Sequence, residues 1–112
     1  MRTLNRSLLV ITPKQPFLDW LHRVDPTSKD ITLAELTSEP SVYMFPESEA
    51  DEGLMRNLRK FCAEIFVEEL DAWYRDEEFW PEDRSFKIFR LWFEYKHHSL
   101  VFDLSDKPLI QE

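Results

Sequence analysis

The sequence predicts an α+β fold: a small three-stranded sheet with about three helices packed largely on one face, in the order β-α-(short α)-β-α-α-β. Three observations predict it. A β-branched and leucine run, RSLLVIT at Arg6 to Thr12, precedes a 3.6-residue apolar stripe that starts at Phe17; a longer stripe of the same period fills the middle of the chain; and HHSLVFDL near the end alternates with period two. With 112 residues, 43% of them hydrophobic, the chain has the apolar material for one core, and a single domain over 1–112 is expected.

The elements follow in order. The apolar residues of Arg6 to Thr12 are continuous, which suits a central strand covered on both faces. Thr12 is the expected N-cap of the next helix, with Pro13 or Pro16 in its first turn, Phe17, Trp20, Leu21 and Val24 on one face, and Asp25-Pro26 as its end. TLAE at Thr32 to Glu35 has the capping-box form of a short helix. SVYMF at Ser41 to Phe45 lies between Pro40 and Pro46, so it is expected at a sheet edge, and parallel pairing with the first strand would need a right-handed crossover.

The longest helix is predicted over roughly 51–75. Its stripe of Leu54, Leu58, Phe61, Cys62, Ile65, Glu69 and Trp73 is apolar except for Glu69. A last helix is predicted from Arg84 to Phe93 with Asp83 as N-cap. Phe86, Phe89 and Phe93 on one side and Ile88, Leu91 and Trp92 on the other make it apolar nearly all round, so it is expected inside the fold or in a homo-oligomer interface. The last strand is predicted over 97–104, with His98, Leu100, Phe102 and Leu104 on its apolar face and His97, Ser99, Val101 and Asp103 on the other. The tail SDKPLIQE is expected to be a surface extension.

Composition excludes several function classes. Gly53 is the only glycine, so Gly-rich phosphate cradles are excluded, and no cofactor is expected. Cys62 is the only cysteine, so no internal disulfide can form and zinc spacing is absent, which fits a reducing, cytoplasmic setting. The N-terminal segment lacks a signal-like apolar run, and no membrane span is expected. The net charge of −8 is local: residues 41–82 hold twelve acids and four bases, whereas 1–40 and 83–112 each hold five of either sign. Such a segment disfavours direct nucleic-acid binding and favours a basic partner.

Candidate chemistry centres on two places. His97, His98, Ser99 and Asp103 suggest a hydrolase or metal site, but residues two apart on a strand sit roughly 7 Å from one another, too far for a triad within it. An ordinary helix-to-strand junction explains them more simply, and no metal site is predicted. The acid pairs Glu68-Glu69 and Glu77-Glu78 are expected on a solvated face, and the acidic loop Glu47 to Glu52 lacks the calcium-binding pattern. Glu47, Glu49, Asp51, Glu77 and Glu78, with Trp80 as an aromatic anchor, form the predicted surface for a basic protein partner.

The segment from Trp80 onward resembles an uncharacterised group of short acidic bacterial proteins. The resemblance is carried by a W-P-x-x-R run (Trp80, Pro81, Arg84), then Phe89, Trp92 and Phe93, then an H-S-x-V-x-D-L run (His98, Ser99, Val101, Asp103, Leu104). It implies a bacterial cytoplasmic protein and transfers no activity. The same positions suggest an Arg84–Asp103 bridge extended by His98 or Ser99. The functional expectation is a non-enzymatic interaction protein that presents residues 47–82 to a basic partner, with a small hydrolase or metal-dependent enzyme at the last strand as the alternative.

Overall fold

A computed structural model describes residues 1–48 and 51–111. The fold is α+β. Its strands are β1 (Arg2–Thr3), β2 (Arg6–Pro13), β3 (Ser41–Pro46), β4 (Phe93–His98) and β5 (Phe102–Asp103); its helices are α1 (Gln15–Val24), α2 (Leu33–Leu36), α3 (Asp51–Trp73) and α4 (Phe86–Trp92). β2 is the centre of a three-stranded sheet of order β3-β2-β4, antiparallel throughout, so no crossover of either hand is used. β1 and β5 form a separate antiparallel ladder.

β2 alternates in burial: Ser7, Leu9, Ile11 and Pro13 are buried, and Leu8, Val10 and Thr12 are only half-buried. The expectation of a strand covered on both faces is therefore corrected. Helices cover one face, and the apolar residues on the other meet Val42 and Met44 of β3, which stay 57% and 49% exposed. Thr12 belongs to this strand and does not cap α1; Lys14 holds the N-cap position, with Pro16 in the first turn, where its missing N–H costs nothing. Around α2 the capping box forms as expected, the Thr32 hydroxyl accepting from the Glu35 N–H.

The core is aromatic. Phe17 and Trp20 of α1 meet edge to face, and Phe66 of α3 packs against Phe89, Trp92 and Phe93, with the Phe66 and Phe93 rings perpendicular at 5.1 Å. α3 buries Leu58, Cys62, Ile65, Phe66, Glu69 and Leu70. The buried stripe thus lies further round the helix than predicted: Phe66 and Leu70 replace Trp73, which is 38% exposed. In the first turn of α3, Gly53 admits Ser48 so closely that an added Cβ would lie 2.4 Å from the Ser48 hydroxyl oxygen.

The C-terminal third departs most from expectation. α4 is shorter than predicted, with Ser85 and not Asp83 at its N-cap position, while the Asp83 carboxylate accepts from the Ser85 N–H. Phe93 is already extended, with φ −134° and ψ 144°, and begins β4. Pairing with β2 takes over there, because Phe93, Tyr95 and His97 alternate with Glu94, Lys96 and His98 as a half-buried strand requires. The strand predicted over 97–104 is consequently divided between the end of β4 and the short β5. Phe89 is fully buried and Leu91 is 54% exposed, so most of the aromatic helix faces the core of its own chain.

Candidate functional site

β3 is an edge strand, and hydrogen-bond parity shows what its outer side offers. Directly opposed residues in an antiparallel pair alternate between bonded and non-bonded pairs. The Lys14 N–H donates to the Trp92 carbonyl at 2.8 Å, one step beyond the Pro13–Phe93 pair. Thr12, Val10 and Leu8 therefore direct their backbone groups to β4, and Ile11, Leu9 and Ser7 direct theirs to Ser41, Tyr43 and Phe45 of β3. It follows that Val42 and Met44 turn their N–H and C=O groups away from β2, toward the free side.

Beside that edge runs α3. A cavity of about 350 Å³ opens between Tyr43, Met44 and Phe45 of the strand and Phe61, Glu64, Ile65 and Glu68 of the helix. A second, of about 240 Å³, lies further along, lined by Pro13, Leu36, Glu39, Ser41, Glu69, Ala72 and Trp73. The order of residues along both elements makes these two parts of one groove. Four carboxylates line it, those of Glu39, Glu64, Glu68 and Glu69, and no lysine or arginine does among the described residues.

Tyr43 and Glu69 stand between the two cavities. The Tyr43 hydroxyl donates to Glu69 Oε2 at 2.5 Å, and Glu69 is only 6% exposed. Burial first, then the hydrogen bond to Glu69, then the charges of Glu69 and Glu68 push the phenol far above its ordinary value, with a Ser41 hydrogen bond acting in the opposite direction. Tyr43 therefore stays a proton donor, and the buried carboxylate keeps a partner in a place where an unpaired charge is costly. The prediction of a solvated Glu68-Glu69 pair is corrected in half: Glu68 is exposed, whereas Glu69 is buried, as its place on the apolar stripe of α3 requires.

The predicted partner surface does not form one patch. Glu47 and Asp51 lie at the N-terminal end of α3 and Glu77 and Glu78 in a 3-10 turn (Glu77–Phe79) beyond its other end, separated by the helix, a span of roughly 33 Å at 1.5 Å per residue. Glu49 lies outside the described residues, as does part of the acidic loop considered for calcium. Trp80 is half-buried, its indole N–H donating to the Tyr74 carbonyl at 2.7 Å; Trp20 donates similarly to the Phe79 carbonyl, so the 74–80 segment is tied to α1.

The histidine cluster is dispersed. His97 lies on the helix side of the sheet with Phe93 and Tyr95, and His98 on the open side with Glu94 and Lys96, the reverse of the predicted facing, because the strand starts four residues before His97 and its alternation is set by Phe93. His97 Nε2 is buried without a hydrogen-bond partner among the described residues. Ser99 is in the exposed loop after β4. Asp103 belongs to the β1–β5 ladder, where it bridges Arg2 at 3.0 Å. The Ser105 N–H, and after it Arg2, hold its carboxyl below the usual range. Arg84 instead donates to the Pro81 carbonyl at 2.7 Å, so the Arg84–Asp103 bridge does not form. Among the described residues no group of three or more His, Cys, Asp or Glu side chains is placed to hold a metal ion, and no helix is long and apolar enough to cross a membrane. Cys62 is buried, and burial pushes its thiol up, away from the reactive thiolate.

Sequence reasoning passed over the groove itself. The signal was present in two parts, a proline-bounded edge strand and one acid on an apolar stripe, but their proximity depends on a contact across 26 positions. No protein-family model matches this chain, and no curated protein or solved structure matches it either.

Proposed function

We propose that the protein is a non-enzymatic binding module that takes a basic segment of a protein partner along the groove between β3 and α3. The observation that carries this reading is the lining of the groove: Glu39, Glu64, Glu68 and Glu69, with no lysine or arginine among the lining residues, beside the apolar surfaces of Met44, Phe61 and Trp73. The acidic middle segment still supplies most of these groups, but its working part is the C-terminal half of α3 instead of its ends. Glu64 and Glu68 are exposed and available to a cation, and Trp73 offers a ring face to it. The single buried thiol and the resemblance of the C-terminal segment to short bacterial proteins support a cytoplasmic setting, and exposed Leu91 is the part of α4 left for a homo-oligomeric contact.

A titration with a flexible lysine-rich peptide and its glutamate-substituted counterpart tests the reading. The lysine peptide is expected to bind, with affinity falling steeply as salt rises, and Glu64→Gln with Glu68→Gln is expected to remove most of that salt dependence. Equal binding of both peptides, or of neither, would refute it.

A further inference from the structure

We infer that the partner segment binds as an added strand, antiparallel on the free edge of β3, with basic residues over the α3 groove alternating with apolar residues against Val42 and Met44. This rests on the basic-partner reading above and specifies how such a partner is recognised. The first support is the backbone. Val42 and Met44 present N–H and C=O groups on the side away from β2, no described residue bonds them, and an extended segment satisfies all of them in a continued ladder.

The second support is the pair of unlike surfaces on either side of that edge. Directly opposed residues on neighbouring strands point to the same face. Added-strand residues opposite Val42 and Met44 would lie on the open face, where those two side chains are about half exposed and uncharged. Residues opposite Ser41 and Tyr43 would lie on the α3 side, one toward Glu39 and Trp73 and the other between Glu64 and Glu68. The edge therefore selects a period-two pattern of basic and apolar residues. A helix, with its 3.6-residue period, cannot present that pattern to a straight edge.

Length is also specified. Pro40 and Pro46 bound the strand, and neither can donate a ladder hydrogen bond, so the template is confined to the stretch between them. Longer basic segments gain charge attraction from the groove but no further backbone pairing.

The test uses the full chain and three peptides: Ac-KVKVKVK-amide, the block scramble Ac-KKVVVKK-amide of the same composition, and the alternating peptide with N-methyl groups on its valines. Binding is followed by amide shifts in two-dimensional NMR. The alternating peptide should bind at least about tenfold more tightly than either other form, since each lost ladder bond is worth up to roughly a factor of ten. Its largest shifts should fall at the Val42 and Met44 amides, and Glu64→Gln with Glu68→Gln should weaken it without changing which amides move. If all three peptides bind equally, with shifts at Glu64 and Glu68 but not at Val42 and Met44, strand addition is overturned while the basic-partner reading stands. If no lysine peptide binds at low salt, both fall.

Discussion

The two halves of α3 share one helix but divide its labour. The N-terminal half carries the acids Asp51 and Glu52 with the bases Arg56, Arg59 and Lys60 and buries Leu58; the C-terminal half carries Glu64, Glu68, Glu69 and Asp71 without a base and buries Cys62, Ile65, Phe66, Glu69 and Leu70. Two of these bases lie over rings, Arg59 over Phe86 at 5.6 Å and Lys60 over Phe61 at 5.2 Å. Over its whole length the helix holds six acids and three bases, and the surplus of acids lies in its C-terminal half. Packing makes it polar along its length, with the acidic half pinned to the core and set against the edge of β3.

The largest test of that division is a truncation in each half. Phe66→Ala should cost about 3–5 kcal/mol by urea unfolding, since it empties the centre of the aromatic core. Met55→Ala, half-buried near the N-terminus, should cost less than about 1.5 kcal/mol. Comparable losses would show that both halves anchor the helix equally.

Tyr43→Phe comes next. It leaves the buried Glu69 carboxylate without the phenol donor, at a cost of about 1–3 kcal/mol near neutral pH. Its pH dependence has a definite sign. The folded-state value of Tyr43 is raised above the unfolded value of 10.0, so between the two the unfolded chain binds fewer protons and stability falls as pH rises. That contribution is complete below the unfolded value and fades above it. Unfolding midpoints followed into strongly alkaline solution should decline in the natural chain and decline less in Tyr43→Phe; parallel curves would remove Tyr43 as the cause.

Arg59→Ala should have the smallest effect, about 0.5 kcal/mol, because Arg90 also lies over the Phe86 ring at 5.5 Å and retains part of the attraction. A loss as large as that of Tyr43→Phe would mean the basic half is structurally committed, and the contrast between the halves would weaken.

What was legible in the sequence was local. The β-branched run of β2, the prolines around β3 and the capping box at Thr32 each act over a few residues, and each element formed. The junction at Trp92–Phe93 was harder. Phe93 continued the apolar surface of the preceding helix as well as it began the alternation Phe93, Tyr95, His97, and only pairing with β2 decided between them. The β1–β5 ladder has no local signal at all, since its two pairs join residues about a hundred positions apart. Glu69 was visible as the odd residue on its stripe. Its partner was not, because Tyr43 sits on another element and its own strand pattern is satisfied without it.

The β1–β5 ladder also determines how the molecule yields to force. The N-terminal residue before Arg2 and the tail after Asp103 leave the ladder at the same end, where the two residues are paired. Tension between the chain ends therefore opens that pair first and then Thr3–Phe102, one rung at a time, instead of shearing both together. The load then passes to the Leu4–Val101 backbone bond and from there to the Leu8–His98 end of the β2–β4 pair, which is again pulled from one end. A protein built this way peels from its termini under weak tension, and a processive unfolding motor gripping either end would meet its aromatic core only after the sheet had begun to open.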